Sequence, residues 1–281
     1  MIPAAFDYTR PTSLEEALGA LRDGGEDAKL LAGGHSLIPL MKLRLAAPAL
    51  LVDLAAVPGL GGIQRENGHW KIGAMTRHVE LQNSDELGLL QRVATLIADQ
   101  QVRNRGTIGG SLAHGDSASD LPTALVAAEG SVTATGPDGT REIAAADLFQ
   151  DYLTTALDPV EVLTEVRMPA LDGYGWGYRK FTRRAEDWAM VGVVALVKQG
   201  ADGSCEDARV AFTNMGSTPL RASATEAALR GGALDASSIA AAAEQAAEGT
   251  EPPADRNASA DYKRHLARVL TKQALTEAAG L

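Results

Sequence analysis

The chain has 281 residues, 45% of them hydrophobic and 22% charged, which fits a globular protein of one large or two smaller domains and excludes a fibrous or disordered chain. Lys and Arg total 26 against 36 Asp and Glu, and the net charge of −10 argues against a broad nucleic-acid-binding surface. The single cysteine, Cys205, excludes a disulfide framework, a cysteine-ligated zinc site and an iron–sulfur cluster held by this chain alone.

No stretch reaches the roughly 20 apolar residues that cross a bilayer, and the longest candidate, Ala189–Val197, is far too short. The N-terminus lacks the basic and apolar regions of a secretory signal. We therefore expect a cytoplasmic protein with neither a membrane span nor a nucleic-acid partner.

The first part of the chain alternates helix and strand signals. A capping box beginning at Ser13 starts a helix, and Gly24 ends it. Short apolar runs then predict buried strands. In order, the predicted elements are helix 13–24, strand 29–32, a helix capped by Ser36, and strand 49–53. This pattern predicts a small β-α-β-α-β subdomain over about residues 1–56.

A different pattern begins near residue 57. Asn67-Gly68 and Pro137-Asp138-Gly139 each separate two strand-like runs, and such pairs are typical of β-hairpins. The predicted elements of this second subdomain, about residues 57–175, are hairpin 62–66/69–73, a helix from Ser84 to Ala98, a glycine-rich loop at 107–111, a helix from Asp120, hairpin 130–135/140–144 and strand 162–168.

The segment Leu171–Gly177 is the best candidate for a linker. After it, predicted strands precede Ala-rich predicted helices, and this order indicates a separate α+β domain over residues 176–281. Its predicted elements are strands 178–183, 189–198 and 208–213, helices 218–230, 235–248 and 259–279, and a loop at 249–257. In the last helix, Leu266, Val269, Leu270, Gln273 and Ala274 are expected to face the core, with a face between subunits as the alternative.

Two glycine-rich segments stand out chemically. The first glycine segment, residues 32–36, reads Ala-Gly-Gly-His-Ser, and the second glycine segment, residues 107–111, reads Thr-Ile-Gly-Gly-Ser. Paired glycines allow positive φ and a close approach of the backbone to a ligand, and helix N-termini offer N–H donors to phosphate. A single Gly-Gly pair is usually only a tight turn. Two such segments, neither matching the standard ATP or dinucleotide fingerprint, suggest one diphosphate ligand held from two sides.

Three stretches in the same order carry a family resemblance. Residues 32–44 resemble the first FAD-binding loop of the flavoprotein subunits of molybdenum hydroxylases, and 107–122 resemble the second. Residues 180–189 are similar to a third, flavin-proximal stretch of that family. Because all three fit in order and spacing, the resemblance covers essentially the whole chain. It is strongest to the medium subunits of aerobic, molybdenum-containing carbon monoxide dehydrogenases.

The resemblance implies a fold and a set of cofactor contacts. The fold is an α+β one: an FAD-binding domain of the p-cresol methylhydroxylase type in two α/β subdomains over residues 1–175, followed by the family's C-terminal domain, a small antiparallel sheet plus helices. Both glycine segments would hold the FAD pyrophosphate, and Asp120 would bond ribose or ribityl hydroxyls. The expected contacts are Ala32, Gly33, Gly34, His35, Ser36, Thr107, Ile108, Gly109, Gly110, Ser111, Asp120, Leu163, Lys180 and Trp188.

The resemblance also implies a role and partners. This chain would be the FAD-containing electron-transfer subunit of a heterotrimer, in which a small subunit carries two [2Fe–2S] clusters and a large subunit carries molybdenum. In carbon monoxide dehydrogenase the large subunit also holds copper and oxidises CO to CO₂. Electrons would leave through FAD to a quinone or another respiratory acceptor. A dimer of heterotrimers, held at the inner face of the membrane only through partners, is expected, with no catalytic residue and no metal on this chain.

Three alternatives to this function remain open. The same module serves xanthine-, nicotine- and caffeine-type dehydrogenases, a self-sufficient flavoprotein oxidase would have its own substrate pocket, and a non-redox regulator would bind nucleotide without flavin.

His35 is open between a local hydrogen bond, a non-covalent FAD contact and covalent flavin attachment. Arg103 and Arg105 either neutralise phosphate or are solvated, and the Arg183-Arg184 pair is a surface pair or part of a partner interface. Cys205 is read as structural, and His69, His78, His114 and His265 share no metal-ligand spacing.

Overall fold

The computed structural model describes residues 1–281, in which three sheet-based units follow one another along the chain. The first unit is a parallel sheet of strand order β1-β3-β2. Its elements are β1 (Asp7–Thr9), α1 (Leu14–Gly24), β2 (Ala28–Leu31), α2 (Leu37–Lys42) and β3 (Leu50–Asp53). The predicted β-α-β-α-β order is confirmed.

The start of α1 follows from its capping residue. Ser13 Oγ accepts a hydrogen bond from the backbone N–H of Glu16, 3.1 Å away, and so satisfies one of the free donors of the first turn. The Glu16 carboxylate departs from a standard capping box because it bonds the backbone N–H and hydroxyl of Thr12. On the inner face, Ala17 and Leu21 are buried in one cluster with Val52 of β3. Burying a leucine side chain in this way contributes about 2 kcal/mol.

The second unit is a five-stranded antiparallel sheet of order β4-β5-β10-β6-β7, with most of its helices between β5 and β6 in the chain. Both predicted hairpins are present, whereas the hairpin β8–β9 was not predicted. The elements are β4 (Ile63–Glu66), β5 (His69–Gly73), α3 (His78–Gln82), α4 (Leu89–Thr95), α5 (Gln100–Arg103), α6 (Ile108–His114), α7 (Asp120–Ala128), β6 (Ser131–Gly136), β7 (Gly139–Ala144), α8 (Ala145–Leu148), β8 (Phe149–Asp151), β9 (Thr154–Thr155) and β10 (Val162–Pro169).

The single helix predicted from Ser84 to Ala98 is wrong. A short 3₁₀ turn, Asp85–Leu87, is followed by Gly88 at φ +51°, and α4 starts only after this break. Gly88 lies against the indole of Trp176, and a Cβ there would be 3.3 Å from Trp176 Nε1. The helical spacing of the apolar residues correctly predicted that they are buried, and they are still buried in the broken segment. That spacing could not show the bend at Gly88.

The third unit is an antiparallel sheet of order β11-β12-β13-β14 covered by helices, as the strand-then-helix order predicts. Its long last helix packs on the first two strands. The elements are β11 (Gly175–Phe181), β12 (Val191–Gln199), β13 (Cys205–Thr213), β14 (Leu220–Arg221), α9 (Ser223–Leu229), α10 (Ala236–Glu244) and α11 (Ala260–Ala278).

Three sequence expectations fail in this unit. The helix predicted over 218–230 begins only at Ser223, because the short strand β14 occupies Leu220–Arg221. The proposed linker ends early, because β11 already begins at Gly175. Cβ atoms at Gly175 and Gly177 would lie 1.9 and 2.1 Å from carbonyl oxygens of α11. These glycines therefore permit close packing of the helix on the strand rather than flexibility. In α11, Leu266, Leu270 and Ala274 are buried as predicted, but Val269 and Gln273 are exposed. The buried face turns instead through Lys263, Ala267, Thr271 and Ala278.

The second and third units share one hydrophobic core. Tyr178, Val194, Leu196 and Ala211 of the third sheet belong to the same buried cluster as α4, α7 and the second sheet. Inner-facing apolar side chains thus join the two units over a broad contact. No helix of the structure combines the length and apolarity needed to cross a membrane.

Candidate cofactor-binding site

A cavity of about 590 Å³ lies where the three units meet. Pockets for small molecules and cofactors usually enclose about 300–1,000 Å³. The structure brings nearly all predicted site residues together in its walls: Ala32, Gly33, Gly34, His35, Ser36, Thr107, Gly109, Gly110, Ser111, Asp120, Leu163, Lys180 and Trp188. The exception is Ile108, whose side chain is buried in the core beside the cavity rather than in its wall.

The first glycine segment lines this cavity and contains unpaired backbone donors. The N–H groups of Gly33, Gly34, His35 and Ser36 make no hydrogen bond within the protein. Gly34 has φ +75°, a conformation that glycine adopts without strain. Successive N–H groups around such a residue form a concave anion site. Ser36 precedes α2, but its hydroxyl does not cap that helix as predicted, because Ser36 itself lies in the helical region at φ −101°, ψ −50°.

The second glycine segment is folded differently from the predicted loop. Thr107 is the N-cap of α6, and its Oγ1 accepts a hydrogen bond from Gly110 N–H at 3.1 Å. Gly109 N–H donates to the Ala74 carbonyl and Ser111 N–H to the Thr107 carbonyl. The glycine pair therefore forms a helix turn whose backbone donors are already engaged, which leaves the Thr107 N–H and the Ser111 hydroxyl without partners.

The two glycine segments touch each other. A Cβ on Gly33 would lie 2.3 Å from the Arg105 carbonyl oxygen and 2.7 Å from Gly106 Cα. A Cβ on Gly110 would lie 2.8 Å from Thr107 Oγ1 and 3.5 Å from Ala32 Cβ. Only glycine permits this approach at Gly33, since the obstructing atoms are backbone.

A buried ion pair forms another part of the wall. Lys180 Nζ donates to Asp120 Oδ2 at 2.8 Å and to the Leu96 carbonyl oxygen at 3.0 Å. The Tyr178 hydroxyl donates to the other carboxylate oxygen, Oδ1, at 2.5 Å. Both oxygens of Asp120 are thus engaged by the protein, an arrangement that differs from a carboxylate open to sugar hydroxyls. Tyr178 was missed, although its spacing of two from Lys180 on a predicted strand places both side chains on one face.

The remaining predicted residues mark other regions of the cavity. Leu163 is buried in β10 at a register shift, where the strand's pairing with β6 is interrupted. Trp188 follows β11 and is 57% exposed, so its ring stands at the cavity mouth with solvent on one side.

Three histidines line the cavity, two of them missed as site residues. The His35 side chain is exposed and has no hydrogen-bond partner in the protein, so the local-bond interpretation of it is not observed. His78 is buried; burial, together with the charges of His35 and Arg103, lowers its pKa to about 4, and its Nδ1 has no partner. Burial also lowers the pKa of His114. No spacing or motif in the sequence distinguishes the last two from ordinary histidines.

The other sequence candidates lie outside the cavity. The Arg103 guanidinium bonds the carbonyls of Ile97 and Ala98, so it closes the turn after α4 and neither neutralises phosphate nor lies free in solvent. Arg105 is exposed, as is Arg183, whose guanidinium lies 3.8 Å from Asp187. Cys205 is fully buried at the start of β13, and burial raises the pKa of its thiol.

These observations fit the FAD that the resemblance implies. Four consecutive unpaired N–H groups suit a pyrophosphate, glycines let the two segments pack closely in the cavity wall, and apolar residues such as Leu157 and Leu163 continue the cavity for a ring system.

Comparison with known families identifies the class. The model described as the FAD binding domain in molybdopterin dehydrogenase matches residues 4–171, and that of the CO dehydrogenase flavoprotein C-terminal domain matches 176–278. The chain therefore belongs to the FAD-binding flavoprotein subunits of molybdopterin dehydrogenases, and it is an oxidoreductase subunit whose cofactor is FAD.

Individual relatives are similar to this chain in sequence over nearly their whole length. The chain is 42% identical to the carbon monoxide dehydrogenase medium chain of Hydrogenophaga pseudoflava, over 99% of this chain and 98% of that one. It is 40% identical to the 6-hydroxypseudooxynicotine dehydrogenase complex subunit alpha of Paenarthrobacter nicotinovorans, over 99% and 96%. A solved structure of carbon monoxide dehydrogenase from Hydrogenophaga pseudoflava superimposes with a TM-score of 0.96 and 43% identity, covering 100% of this chain and 99% of that one. The resemblance and the predicted fold class are confirmed.

Proposed function

We propose that this chain is the FAD-binding electron-transfer subunit of a heterotrimeric molybdenum hydroxylase that oxidises CO to CO₂. In this proposal residues 1–175 form the FAD-binding domain, with subdomains of about 1–56 and 57–175, and residues 176–281 form the C-terminal domain. The observation that supports this proposal is the cavity wall at residues 33–36, where four consecutive backbone N–H groups lack acceptors within the protein.

The chain's own residues bind and orient the cofactor. The N–H groups of the first glycine segment donate to the pyrophosphate, with the Thr107 N–H and the Ser111 hydroxyl on the opposite side. The glycines at 33, 34, 109 and 110 let the walls of the site pack closely, with Ala32 in the same wall, while Ile108 anchors the second segment through its buried side chain. His35 contacts the cofactor non-covalently. Leu163, Lys180 and Trp188 surround a ring system, and Asp120 acts through Lys180.

Partners follow from the single cysteine. The chemistry that bound FAD supplies is exchange of single electrons with an iron–sulfur donor and of an electron pair with a quinone or similar acceptor. This chain has too few cysteines to hold a cluster, so the [2Fe–2S] clusters lie on a small partner subunit. The molybdenum centre, with copper for CO oxidation, lies on a large one. We infer a cytoplasmic dimer of heterotrimers that reaches the membrane only through other proteins.

A second substrate class has direct support. Identity to the 6-hydroxypseudooxynicotine dehydrogenase subunit, 40%, nearly equals the 42% to the carbon monoxide dehydrogenase medium chain. Because substrate is oxidised on the large subunit, the flavoprotein module is compatible with xanthine-, nicotine- and caffeine-type dehydrogenases as well.

The test is the native complex, purified through this chain. We expect flavin and iron–sulfur absorption, molybdenum and copper, and bleaching of the visible bands under CO. Flavin and clusters that CO does not reduce, but a heterocycle does, would support the second substrate class. Substrate-driven bleaching by this chain alone, or flavin that stays attached to His35 after acid precipitation, would indicate an oxidase. A complex without flavin would contradict the proposal.

A further inference from the structure

A buried hydrogen-bonded chain, Tyr178–Asp120–Lys180, links two units at the cavity wall. Asp120 begins α7 of the second unit, whereas Tyr178 and Lys180 lie on β11 of the third. The side chains of Tyr178, Asp120 and Lys180 are all at most 5% exposed. Each carboxylate oxygen has its own donor: Tyr178 Oη on Oδ1 and Lys180 Nζ on Oδ2.

The ammonium retains one free donor. Lys carries three N–H groups, and two of those on Lys180 are used by Asp120 Oδ2 and the Leu96 carbonyl. Because Lys180 lines the cavity, the third is available to a ligand there. A charge this well shielded from water acts on a neighbouring group more strongly than a solvated one.

Tyr178 controls how far that charge is compensated. Burial, reinforced by the Asp120 charge, raises the pKa of the Tyr178 hydroxyl well above its usual range, so it remains a protonated donor. A hydrogen bond to a carboxylate oxygen draws negative charge toward the donor and holds the group in one orientation. Without it, the carboxylate can turn both oxygens toward Lys180 and neutralise the ammonium more completely.

We propose that Tyr178 is a positioning residue that acts through Asp120 to keep the Lys180 ammonium directed into the cavity, and that this arrangement raises the reduction potential of the bound flavin. The inference rests on the proposed function, in that FAD must occupy the cavity. When the flavin ring takes up two electrons, from dithionite in the test below, together with one proton from solvent, it carries one net negative charge, and a nearby positive charge favours that product over the oxidised form.

The decisive variant is Tyr178→Phe, which removes one hydroxyl and keeps the ring in the core. Its matched control is Tyr174→Phe, because the Tyr174 hydroxyl donates to Asp207 Oδ2 at 2.8 Å in the same way but outside the cavity. For the FAD-loaded protein, in the assembly in which it purifies, we would measure FAD dissociation and the flavin midpoint potential by dithionite titration against a reference dye.

We expect Tyr178→Phe to shift the reduced-to-oxidised equilibrium about threefold toward the oxidised flavin, a fall of about 15 mV for a two-electron couple, with Tyr174→Phe unchanged. Lys180→Met removes the charge itself and should give a larger fall, about tenfold or ~30 mV. Asp120→Asn removes the compensating charge and should raise the potential. These opposite signs distinguish an electrostatic role from a structural one.

An unchanged potential in Tyr178→Phe, or shifts of one sign in Lys180→Met and Asp120→Asn, would overturn the inference. Loss of FAD from Tyr178→Phe, with Lys180→Met and Asp120→Asn still loaded, would also overturn it, because a positioning role predicts a shifted potential in a flavin that stays bound. Wild-type protein that never contains FAD would instead contradict the proposed function, so the two failures are distinguishable.

Discussion

The two glycine segments share nearly the same residues and use them in opposite ways. In the first, Gly33 to Ser36 leave their N–H groups unpaired at the cavity. In the second, the corresponding groups bond Ala74, Thr76 and Thr107, and the glycines form the first turn of α6. A Gly-Gly pair with a serine one or two residues later therefore permits close backbone approach, and its surroundings decide whether the approach serves a ligand or the fold.

The difference arises from the residues that precede each glycine pair. Thr107 has extended backbone angles and caps α6 with its own hydroxyl, which fixes the second segment before any ligand is present. At the first segment Ala32 has no side chain for this purpose, and the cap position of α2 is taken by Ser36 without a capping bond. The first segment is thus built for binding and the second for support.

Gly110→Val should have the largest effect, because it damages both segments. The new side chain would meet Thr107 Oγ1 and Ala32 Cβ, breaking the cap and pushing the segments apart. We expect a loss of about 3 kcal/mol in the free energy of unfolding, from overpacking plus the lost cap. FAD content per chain should fall at least about tenfold. Urea unfolding and flavin absorbance measure the two quantities. Gly61→Val, where a Cβ meets open space, is the control, and wild-type flavin content in Gly110→Val would remove the second segment from the site.

His78, which packs behind the second segment, should make stability depend on pH. Its backbone N–H bonds the Gly106 carbonyl, and its pKa of about 4 in the folded chain lies below the usual 6.5. The unfolded chain therefore binds more protons between these values, so the contribution is complete above about pH 6.5 and is lost as pH falls toward 4. Relative to His78→Phe, wild type should lose about 3 kcal/mol of unfolding free energy over that window.

Chemical unfolding of the apoprotein at a series of pH values measures this difference. His69→Phe, at an exposed position on β5, is the matched control and should follow the wild-type profile. Parallel profiles for wild type and His78→Phe would show that the pKa of the imidazole is the same in the folded and unfolded chains.

Thr107→Ala tests the supporting role of the second segment by itself. Loss of the bond from Gly110 N–H to Thr107 Oγ1 should lower the unfolding free energy of the apoprotein by about 1 kcal/mol. Thr107→Ser keeps the hydroxyl and should restore most of it. Thermal unfolding without FAD is the measurement, and equal melting temperatures for the Ala and Ser variants would show that the cap adds no stability.

Ser36→Ala should have the smallest effect on the fold. Ser36 Oγ makes no capping bond, so apoprotein stability should change by less than about 0.5 kcal/mol. FAD affinity should weaken by about 1 kcal/mol through one lost hydrogen bond to the cofactor. Ser13→Ala is the converse control: it loses a real cap and should cost stability while leaving FAD affinity intact. If Ser36→Ala destabilised the apoprotein as much as Ser13→Ala, the first segment would support the fold, contrary to the contrast between the two segments.

Local signals predicted most of the architecture. The Ser13 cap, the Asn67-Gly68 turn and the apolar runs of the last sheet act over short distances, so their elements lie where the sequence places them. The cavity wall was predicted through the family's motifs. The hydrogen-bond partners of the backbone N–H groups were not predicted, since those of the second segment, Ala74 and Thr76, are more than thirty residues upstream. The break at Gly88 and the bond from Tyr178 to Asp120 likewise depend on contacts between distant segments.

The cavity has a consequence for the order of events during synthesis. Its wall begins at Leu21 and ends at Trp188, and β11, the strand that carries Lys180, pairs along its length with β12. While the ribosome is still making the last sheet, the pyrophosphate cradle exists without its opposite wall. We therefore expect a chain truncated before β12 to purify without bound flavin and without its yellow colour.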